Sequence, residues 1–433
     1  MIRTPIATLK NAFSGFTAQE RFFILFAMLC GFFINSEYAI IRPVSNAVFL
    51  TAYGSKALPY AWLATVPLNL LIVALYNKYL PRLGCFRMFA SIALAVTATN
   101  LFCALFLKQI SWLPFVFYLW KEVYIMLMFQ QLWSVIHSTI SFGRAKYLYG
   151  FFFGFGALGA TAGSIIPSYF AVKLGSESLL IATLPIYFAL SLCYYFALKQ
   201  TKEGVAMKLD DEKQRTSLNA FYHGLKLIGS SRYLTFILLI VVFMQVSSTL
   251  IDFQFNSFLE KTILQKDLRT EYTGRILGIV HAATISLQLF GSFLLIHFLG
   301  IKRSHLLIPV LLCMNSVAFQ FFPYFGMISF AYISIKSCDF SVFGILKEVL
   351  YIPLKPDEKF RAKAVIDVFA HRSCKALASA LILGLQAVLG AAFLPLLNWG
   401  SIALFAVWIG TVFILLKEPK AETETREVQF DKS

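Results

Sequence analysis

The longest polar stretch of the chain runs from Lys199 to Arg232 and reads KQTKEGVAMKLDDEKQRTSLNAFYHGLKLIGSSR. It contains the acidic run 210–212 among several lysines and arginines, and long apolar sequence flanks it on both sides. Apolar runs of roughly 20 residues, the length of a helix that crosses a lipid bilayer, recur six times before it and six times after it. The stretch therefore predicts a linker between two six-helix halves.

The composition supports a membrane protein. The 433 residues are 58% hydrophobic and 14% charged, and the mean hydropathy is +0.72, whereas soluble domains carry about 25% charged residues. Within a bilayer the backbone can satisfy its hydrogen bonds only in helices or closed barrels, and these long non-alternating runs exclude barrel strands. We predict an all-α integral membrane protein with about 12 transmembrane helices.

Turn and charge signals give the predicted boundaries. The helices are predicted at 21–41, 59–77, 86–107, 113–138, 147–170, 178–198, 233–255, 275–298, 305–323, 326–348, 363–390 and 398–416. The domains are an N-terminal half at 1–198, a cytoplasmic linker at 199–232, a C-terminal half at 233–417 and a polar cytoplasmic tail at 418–433. This layout is that of major-facilitator transporters, whose halves rock about a substrate site near the membrane midplane.

Basic residues sort to one side of the predicted helices. About 26 of the 38 lysines and arginines fall in alternate connections that include both termini and the linker, and about 8 fall on the other side. Because cytoplasmic loops are rich in Lys and Arg, both termini are predicted to be cytoplasmic. The net charge of +16 fits this topology, and it would also attract anionic substrates and lipid headgroups. The excess of positive charge is therefore interpreted either as a topology signal alone or as an additional means of attracting anions.

Several protein classes are not expected. The seven cysteines lie mostly in apolar runs without CxxC or Cys/His spacing, so we predict no metal and no cofactor. No nucleophile and base form a recognisable pattern, so we expect no enzyme. The basic residues are scattered among membrane loops, so no nucleic-acid partner is expected. The first apolar run is too long for a cleavable signal and contains Glu37.

Ionisable residues inside the spans are the leading functional candidates, because they are costly in lipid unless they face protein or water. In the eleventh helix four residues recur every fourth position and share one face: Lys363, Asp367, His371 and Lys375. In the tenth helix one face holds Lys336, Asp339, Phe343 and Lys347, with Glu348 one position further round. Charges of both signs predict either ion pairs that lock one conformation or sites for substrate or protons.

Three more helices carry polar residues at helical spacing. The seventh holds Gln245, Ser248, Thr249, Asp252 and Asn256, the fourth holds Lys121, Glu122, Gln130, Gln131, Trp133, Ser134 and His137, and the first holds Asn35, Tyr38, Arg42, Ser45 and Asn46. Asp252 lies near the outer end of its helix, so an interfacial or gating role is as well supported as direct substrate contact. Adjacent residues on a helix diverge, so we do not expect Lys121 to pair with Glu122.

A glycine series marks the fifth helix. It consists of Gly150, Gly154, Gly156, Gly159 and Gly163. Small residues at such spacing favour close helix packing, and the phosphate-loop pattern GxxxxGK[ST] is absent from the sequence. We therefore interpret the glycines as packing positions.

The run KEVLYIPL from Lys347, followed by Lys363-Ala364 and Asp367, resembles the nucleotide transporter family (ATP/ADP translocase family) of obligate intracellular bacteria and plastids. The resemblance extends to Glu122 followed by Trp133, to the run Ala145-Lys146-Tyr147, and to the spacing of Tyr38 and Arg42 in the first helix. It implies a major-facilitator-like carrier that exchanges ATP for ADP or imports other nucleotides. The strongest block covers roughly 336–375.

The departures from the family concern the substrate. Where exchangers of this family commonly have Lys-Asp after the first-helix Arg, this chain has Ser45-Asn46. The family's Gly before Lys-Ala is Ala362, and its Gly-Lys-Ser segment is replaced by 373–376, which keeps Lys375. A phosphate-binding cation is missing at the first position, so ATP/ADP exchange in particular is less well supported than family membership.

The resulting hypothesis is a carrier of nucleotides or nucleotide-like anions that works by alternating access in a bacterial inner membrane. The residues expected to bind substrate are Tyr38, Arg42, Trp133, Lys363 and Lys375. The residues expected to gate or couple transport are Glu122, Asp252, Lys336, Asp339, Lys347, Glu348, Asp367 and His371. The expected partners are a small anionic substrate and membrane lipids. Two alternatives stay open: a proton-coupled carrier of another anionic metabolite or cofactor, and a non-transporting membrane receptor or assembly component.

Overall fold

The computed structural model describes residues 16–140, 142–201, 226–288, 292–351, 366, 371–390 and 393–417. Every regular element in these ranges is helical. In chain order the helices are α1 (Ala18–Tyr53), α2 and α3 (the two arms of Leu58–Phe106), α4 (Leu113–Thr139), α5 (Phe142–Leu174), α6 (Thr183–Lys199), α7 (Arg232–Thr262), α8 (Lys266–Ser286), α9 (Ser292–Phe321), α10 (Phe325–Cys338, continued by Asp339–Phe343 and Gly344–Leu350), α11 (His371–Leu389) and α12 (Phe393–Lys417). Each predicted helix overlaps one of these, which confirms the all-α fold.

The length and apolarity of the helices match a membrane protein. Eight described segments are long and apolar enough to cross a bilayer, and one of them, Ser55–Phe106, contains both α2 and α3. The count of twelve spans is compatible with these segments and stays a prediction. The predicted linker falls mostly, and the tail entirely, outside the described residues.

The first helix is longer than predicted. A capping box starts it, in which the Thr17 hydroxyl accepts the Glu20 amide at 3.2 Å and the Glu20 carboxylate accepts the Thr17 amide at 2.9 Å. We predicted its end at residue 41, but α1 continues through Pro43 to Tyr53. Membrane helices tolerate proline because neighbouring helices satisfy the freed backbone groups.

Two further helix boundaries illustrate the two behaviours of glycine. Gly84 has φ 75° and breaks Leu58–Phe106 into α2 (58–83) and α3 (85–106), as predicted, because L-residues rarely adopt this conformation. A second predicted loop, at 299–304 around Gly300, is wrong because α9 begins at Ser292 and runs through it. A glycine in a helix interior is tolerated, and the neighbouring Lys and Arg are good helix formers.

The described residues form two compact units. The first comprises Met1–Gly54, Ala64–Gln214 and Ile263–Ala282, and the second comprises Ser55–Leu63, Arg215–Thr262 and Ala283–Ser433. Most of α8 therefore belongs to the unit that contains α1, α3, α4, α5 and α6, and the start of α2 belongs to the unit of α7 and α9 to α12.

In the first unit α1 is the central helix and packs against α4, α5 and α6. Its closest approach is to α5, where a Cβ atom added at Gly159 or Gly163 would collide with the backbone of Phe32 or Ser36. The Ser36 hydroxyl donates a 2.8 Å hydrogen bond to the Gly159 carbonyl at this crossing. The packing role predicted for these two glycines is confirmed.

In the second unit α7 packs against α10, α11 and α12, and α9 packs against α10 and α12. Large buried side chains fill the space between these helices, among them Phe253, Phe255, Phe405 and Trp408. Polar residues also lie in this interior, and those of the α7 stripe contact the charged residues of α10.

Candidate substrate site

The central polar contact of the second unit joins α7 to α10. Lys336 is only 9% exposed, and its Nζ lies 3.3 Å from Asp252 Oδ2 and 2.9 Å from Ser248 Oγ. The ring of Tyr332, one turn earlier, lies 5.7 Å from the same Nζ. The predicted pairing of charges of opposite sign is confirmed for Lys336 and Asp252.

The Asp252 carboxylate is also held on its own helix. The side-chain amide of Asn256 donates to Asp252 Oδ1 at 2.9 Å, so each carboxylate oxygen has a partner. Side chains four residues apart share a helical face, which explains why this stripe meets a single lysine of α10. The ammonium of Lys336 is thus neutralised by groups that a bound anion would have to replace.

The middle of α10 contains a π-helical turn at Asp339–Phe343. Such turns are often found at functional sites, because one extra residue per turn shifts the side chains and frees a backbone carbonyl. Here the Phe340 carbonyl accepts a 2.8 Å hydrogen bond from the Gln288 side chain. The Asp339 carboxylate accepts one from Gln245 Nε2 at 3.3 Å.

A cavity of about 200 Å³ lies between α7 and α10 in the second unit. Its lining includes Gln245, Asp339 and Lys347 together with the rings of Phe340 and Phe343. Of the face predicted for the tenth helix, Asp339, Phe343 and Lys347 line this cavity and Lys336 does not, whereas Glu348 is exposed. A carboxylate, an amide and an ammonium around two aromatic rings can hold a small polar molecule with an apolar face.

Lys375 of α11 contacts an aromatic ring. Its Nζ lies 5.3 Å from the centre of the Trp62 ring, which is only 2% exposed. A cation over a tryptophan face gains about 0.5–2 kcal/mol, depending on desolvation. No sequence pattern singles out Trp62, because it lies in an apolar run far from Lys375 along the chain.

In the first unit, Tyr38 and Arg42 of α1 lie together. The Arg42 guanidinium is 5.9 Å from the centre of the Tyr38 ring, and both side chains are half-buried. His281 of α8 belongs to the same unit and lies close enough to Arg42 for their charges to interact. Ser45 and Asn46, which replace the family's Lys-Asp, are buried, and the Ser45 hydroxyl donates to the Arg42 carbonyl at 3.1 Å.

The fourth helix corrects one prediction. Lys121 and Glu122 do form an ion pair, with 3.3 Å between Nζ and Oε1. The bonds to Cβ diverge, but these long side chains bend toward each other. Lys121 is 2% exposed and also lies 4.2 Å from the centre of the Tyr118 ring. The pair places Glu122 next to a cation, which suits the gating role predicted for it.

Trp133 lies among other aromatic side chains. Its ring centre is 5.4 Å from that of Phe153, 5.9 Å from that of Phe152 and 5.8 Å from that of His137. The indole is half-buried in this cluster. Its predicted role in stacking on a nucleobase stays a prediction.

Three of the predicted site residues cannot be placed. Lys363 and Asp367 lie outside the described residues, and of His371 only the backbone, at the start of α11, is described. Of the family-like run 145–147 in α5, too, only the backbone is described. The spacing argument for the eleventh helix therefore rests on the sequence, apart from Lys375.

Sequence reasoning missed a polar cluster between α8 and the segment that joins α5 to α6. Lys266 forms an ion pair with Glu177, whose second oxygen lies 3.9 Å from Lys108. Asp267 accepts hydrogen bonds from the Ser176 amide at 2.9 Å and from the Ser176 hydroxyl at 2.5 Å. These residues lie in predicted loops, where charges are expected, so no sequence signal distinguished them.

Comparison with known proteins confirms the resemblance seen in the sequence. Residues 324–418 match the family described as TLC ATP/ADP transporter. The chain is 22% identical over 286 residues to ADP,ATP carrier protein 1 of Rickettsia prowazekii (strain Madrid E), a match that spans 59% of this chain and 57% of that relative's length. It is 35% identical over 94 residues to ADP,ATP carrier protein 1 of Chlamydia trachomatis serovar D, which spans 21% of this chain and 18% of that protein.

Solved structures show the same fold. A mutant of the nucleoside transporter NupG aligns with a TM-score of 0.67 at 13% identity, over 91% of this chain and 100% of that chain. A POT family transporter in complex with 5-aminolevulinic acid aligns with a TM-score of 0.57 at 11% identity, over 91% of this chain and 95% of that chain. The chain therefore has a major-facilitator-like fold and is a multi-pass membrane protein, and the proteins that it is similar to are transporters, not enzymes.

Proposed function

We propose that the chain carries a nucleotide or nucleotide-like anion across a membrane by alternating access. One observation carries the proposal: the segment that matches the ATP/ADP transporter family, 324–418, supplies the cations Lys336, Lys347 and Lys375 of the site. Each of these lysines lies in the membrane fold next to a carboxylate, a cavity or an aromatic ring. A soluble anion needs such cations to replace its water.

The mechanism follows from how the lysines are held without substrate. Lys336 is neutralised by Asp252 and Ser248, so it costs little to keep inside the membrane. A phosphate group offers several acceptor oxygens and can take over the ammonium. Asp252 would then release Lys336 to the substrate and take it back after substrate release. This exchange of partners links substrate occupancy to the contact between α7 and α10.

Lys375 is suited to the same exchange. Its contact with Trp62 is worth about 0.5–2 kcal/mol, whereas a hydrogen bond to a charged group contributes about 1.5–3 kcal/mol. Phosphate can therefore draw Lys375 from the ring. Arg42 would hold a second phosphate with paired donors, and Tyr38 or Trp133 would stack on the base. Lys363 is proposed as a further cation, with Glu122, Asp339, Asp367 and His371 as gating or coupling groups.

The proposal includes the layout predicted from sequence. Two six-helix halves, 1–198 and 233–417, would rock about the site, and the linker 199–232 would connect them on the cytoplasmic side. The excess of basic residues in alternate loops supports cytoplasmic termini, and the family resemblance supports a bacterial inner membrane. The same basic loops would contact anionic lipid headgroups.

Uptake into proteoliposomes tests the proposal. A labelled panel of ATP, ADP, other nucleotides and dinucleotides would be added outside vesicles with and without internal nucleotide. We expect uptake of at least one nucleotide, and we expect Lys336→Met and Lys375→Met each to lower it at least about tenfold, which corresponds to about 1.4 kcal/mol. Lys173→Met, which removes an exposed lysine of α5, is the matched control and should transport normally.

A second candidate is a proton-coupled carrier of another anionic metabolite. The observation in its favour is the pair Ser45-Asn46, which lacks the cation that exchangers of the family commonly carry there. The labelled panel separates the two candidates by substrate, and the requirement for internal substrate separates strict exchange from proton coupling. A strict exchanger requires internal substrate, whereas a proton symporter responds to a pH gradient. Absence of nucleotide uptake under every gradient, from folded protein, would refute the nucleotide assignment.

A further inference from the structure

Glu37 is a carboxyl group buried in the middle of α1. It is 1% exposed, and its Oε1 accepts a 2.7 Å hydrogen bond from the Tyr124 hydroxyl of α4. The side chains of Tyr187 on α6 and Asn100 on α3 are also within hydrogen-bonding reach. Asn100 donates in addition to the Thr183 hydroxyl at 3.1 Å. The carboxyl is thus surrounded by neutral donors from three helices.

The part of the chain that the structure describes contains no salt bridge to Glu37. Lys121 lies one turn before Tyr124 on α4, but its ammonium pairs with Glu122. Arg42 lies five residues further along α1, where its guanidinium lies against Tyr38. Tyr124 and Tyr187 are the titratable groups that face the carboxyl, and Asn100 is uncharged.

Burial without a cation brings the two protonation states of a carboxyl close in free energy. An ionised carboxylate inside a membrane costs several kcal/mol. Hydrogen bonds to a charged group return about 1.5–3 kcal/mol each. Three neutral donors can therefore support the ionised form, and a low-dielectric surrounding can support the neutral form. A carboxyl in this position can bind a proton and release it.

The backbone that carries Glu37 is held in place by the preceding residue, Ser36. Ser36 lies at the crossing of α1 and α5, where its hydroxyl bonds to the Gly159 carbonyl and its backbone leaves no room for a Cβ atom at Gly163. The crossing holds the backbone of α1 at Ser36, and it therefore sets where the Glu37 side chain leaves the helix. The Tyr124 and Tyr187 hydroxyls also interact with each other, which provides a neighbouring group that can relay a proton.

We propose that Glu37 is the proton-binding residue of this carrier, and that it couples movement of the anion to movement of one proton. The step is a proton transfer alone: the carboxylate takes a proton from hydronium, which leaves water, and returns it to water on the other side. Each proton offsets one negative charge of the substrate. The inference rests on the proposed function, because it assigns the coupling ion of the same transport cycle.

A transport experiment separates coupling from binding. Proteoliposomes would be given labelled ATP or another nucleotide that shows counterflow. The outside would be more acidic than the lumen by about one pH unit, so that protons are driven inward. One proton per substrate allows accumulation of up to about tenfold per pH unit, so we expect about tenfold for the unaltered protein and none for Glu37→Gln. Counterflow should persist in Glu37→Gln, because its amide keeps an acceptor for Tyr124 and no substrate contact is assigned to this residue.

A spectroscopic experiment tests proton binding without any substrate. The infrared band of a protonated carboxylic acid would be followed from about pH 5 to about pH 9 in detergent-solubilised protein. The experiment uses an Asp339→Asn background, because Asp339 is a second buried carboxyl group of the fold. We expect a band that titrates in this background and is missing when Glu37→Gln is added. In Tyr124→Phe, which removes one donor to the ionised form, the pH dependence of the band should move. Asp252→Asn is the control, because that carboxylate is paired with Lys336 and should not contribute to the band.

The outcomes discriminate between the two proposals. Accumulation by Glu37→Gln equal to that of the unaltered protein would overturn the role of Glu37. A titrating band that survives in the double variant Glu37→Gln with Asp339→Asn would overturn it as well. If no nucleotide is transported but the band titrates and depends on Glu37, the nucleotide proposal fails while the proton site stands. If Glu37→Gln does not fold, Glu37→Asp retains a carboxyl group and should change the pH profile of accumulation. An unchanged profile in that variant would contradict the proposal.

Discussion

The two units keep a carboxyl group inside the membrane fold in different ways. In the second unit Asp252 is paired with Lys336, and the side chains retain 18% and 11% of their exposure. In the first unit Glu37 is 1% exposed and is held by the hydroxyl of Tyr124. One carboxylate is balanced by a full charge and has some access to solvent, and the other is balanced only by dipoles and has almost none.

The difference indicates what each carboxyl group can exchange. Asp252 has a cation that an anionic ligand can take over, so its pair suits the recognition of substrate. Glu37 has no such cation among the described residues, so a proton is the charge that it can gain or lose. The four predictions below test this contrast, and they are ordered by the size of the expected effect.

The largest effect is expected for Lys336→Met, which leaves Asp252 ionised without its cation. Removing one member of a buried pair costs about 3–5 kcal/mol, and the partial exposure of this pair favours the lower end, so we expect a loss of about 3 kcal/mol in the free energy of unfolding. Denaturant titration in detergent measures it. The double variant Lys336→Met with Asp252→Asn should recover most of the stability but not the transport. Normal transport by the double variant would contradict substrate recognition by this pair.

The next largest effect is expected at the crossing of α1 and α5 in the first unit, where no charged side chain among the described residues is involved. Gly163→Ala introduces a Cβ atom where the Ser36 backbone leaves no space, and overpacking of this kind costs about 1–3 kcal/mol. Gly154→Ala is the matched control on the same helix, because nothing lies within 4 Å of a Cβ atom there. It should be neutral or stabilise by up to about 1 kcal/mol, since Ala favours helix over Gly. Equal melting temperatures for the two variants would show that the crossing of α1 and α5 is not tight.

A matched pair of amide substitutions compares the two carboxyl groups directly. Asp252→Asn leaves a half-desolvated Lys336 with hydroxyl and amide partners only, so we expect a loss of about 1.5 kcal/mol in the free energy of unfolding. Glu37→Gln strands no cation and keeps an acceptor for Tyr124, so we expect a smaller loss than for Asp252→Asn. A larger loss for Glu37→Gln than for Asp252→Asn would show that Glu37 is held in its ionised form by charges other than the neutral donors described above.

The smallest effects are expected at the ion pairs of α8. Lys266→Met removes the partner of Glu177, whose side chain is 7% exposed, and should cost about 1 kcal/mol. Arg275→Met breaks a pair with Glu271 in which the arginine is 58% exposed, and should cost about 0.3–0.5 kcal/mol. High salt should reduce the second effect more than the first. The reverse ranking would show that burial does not set the value of an ion pair in this unit.

The sequence predicted contacts that follow from helical spacing. Asp252 and Lys336 were expected to face the interior, and a charged pair between neighbouring helices is the cheapest way to bury both. Asp339, Phe343 and Lys347 were expected on one face, and they line one cavity. These residues share a cavity even though a π-helical turn at Asp339–Phe343 interrupts the regular α-helix.

Spacing did not predict contacts that depend on side-chain bending or on distant segments. Lys121 reaches Glu122 because both chains are long, although their Cβ atoms diverge. Trp62 meets Lys375 only through the folding of α11 beside the start of α2, which no local pattern encodes. Glu37 was visible as a lone carboxyl in an apolar run, but its neutral donors lie on three other helices.

The composition of the two units has a consequence for how the protein is made. The first unit includes Ile263–Ala282, so it cannot be completed until the ribosome has synthesised the linker, α7 and most of α8. The short segment Ser55–Leu63, made early, waits in turn for the helices of the second unit. Insertion into the membrane and assembly within it are therefore separate stages, and a break in the chain within the linker would leave each fragment without a segment that its own unit requires.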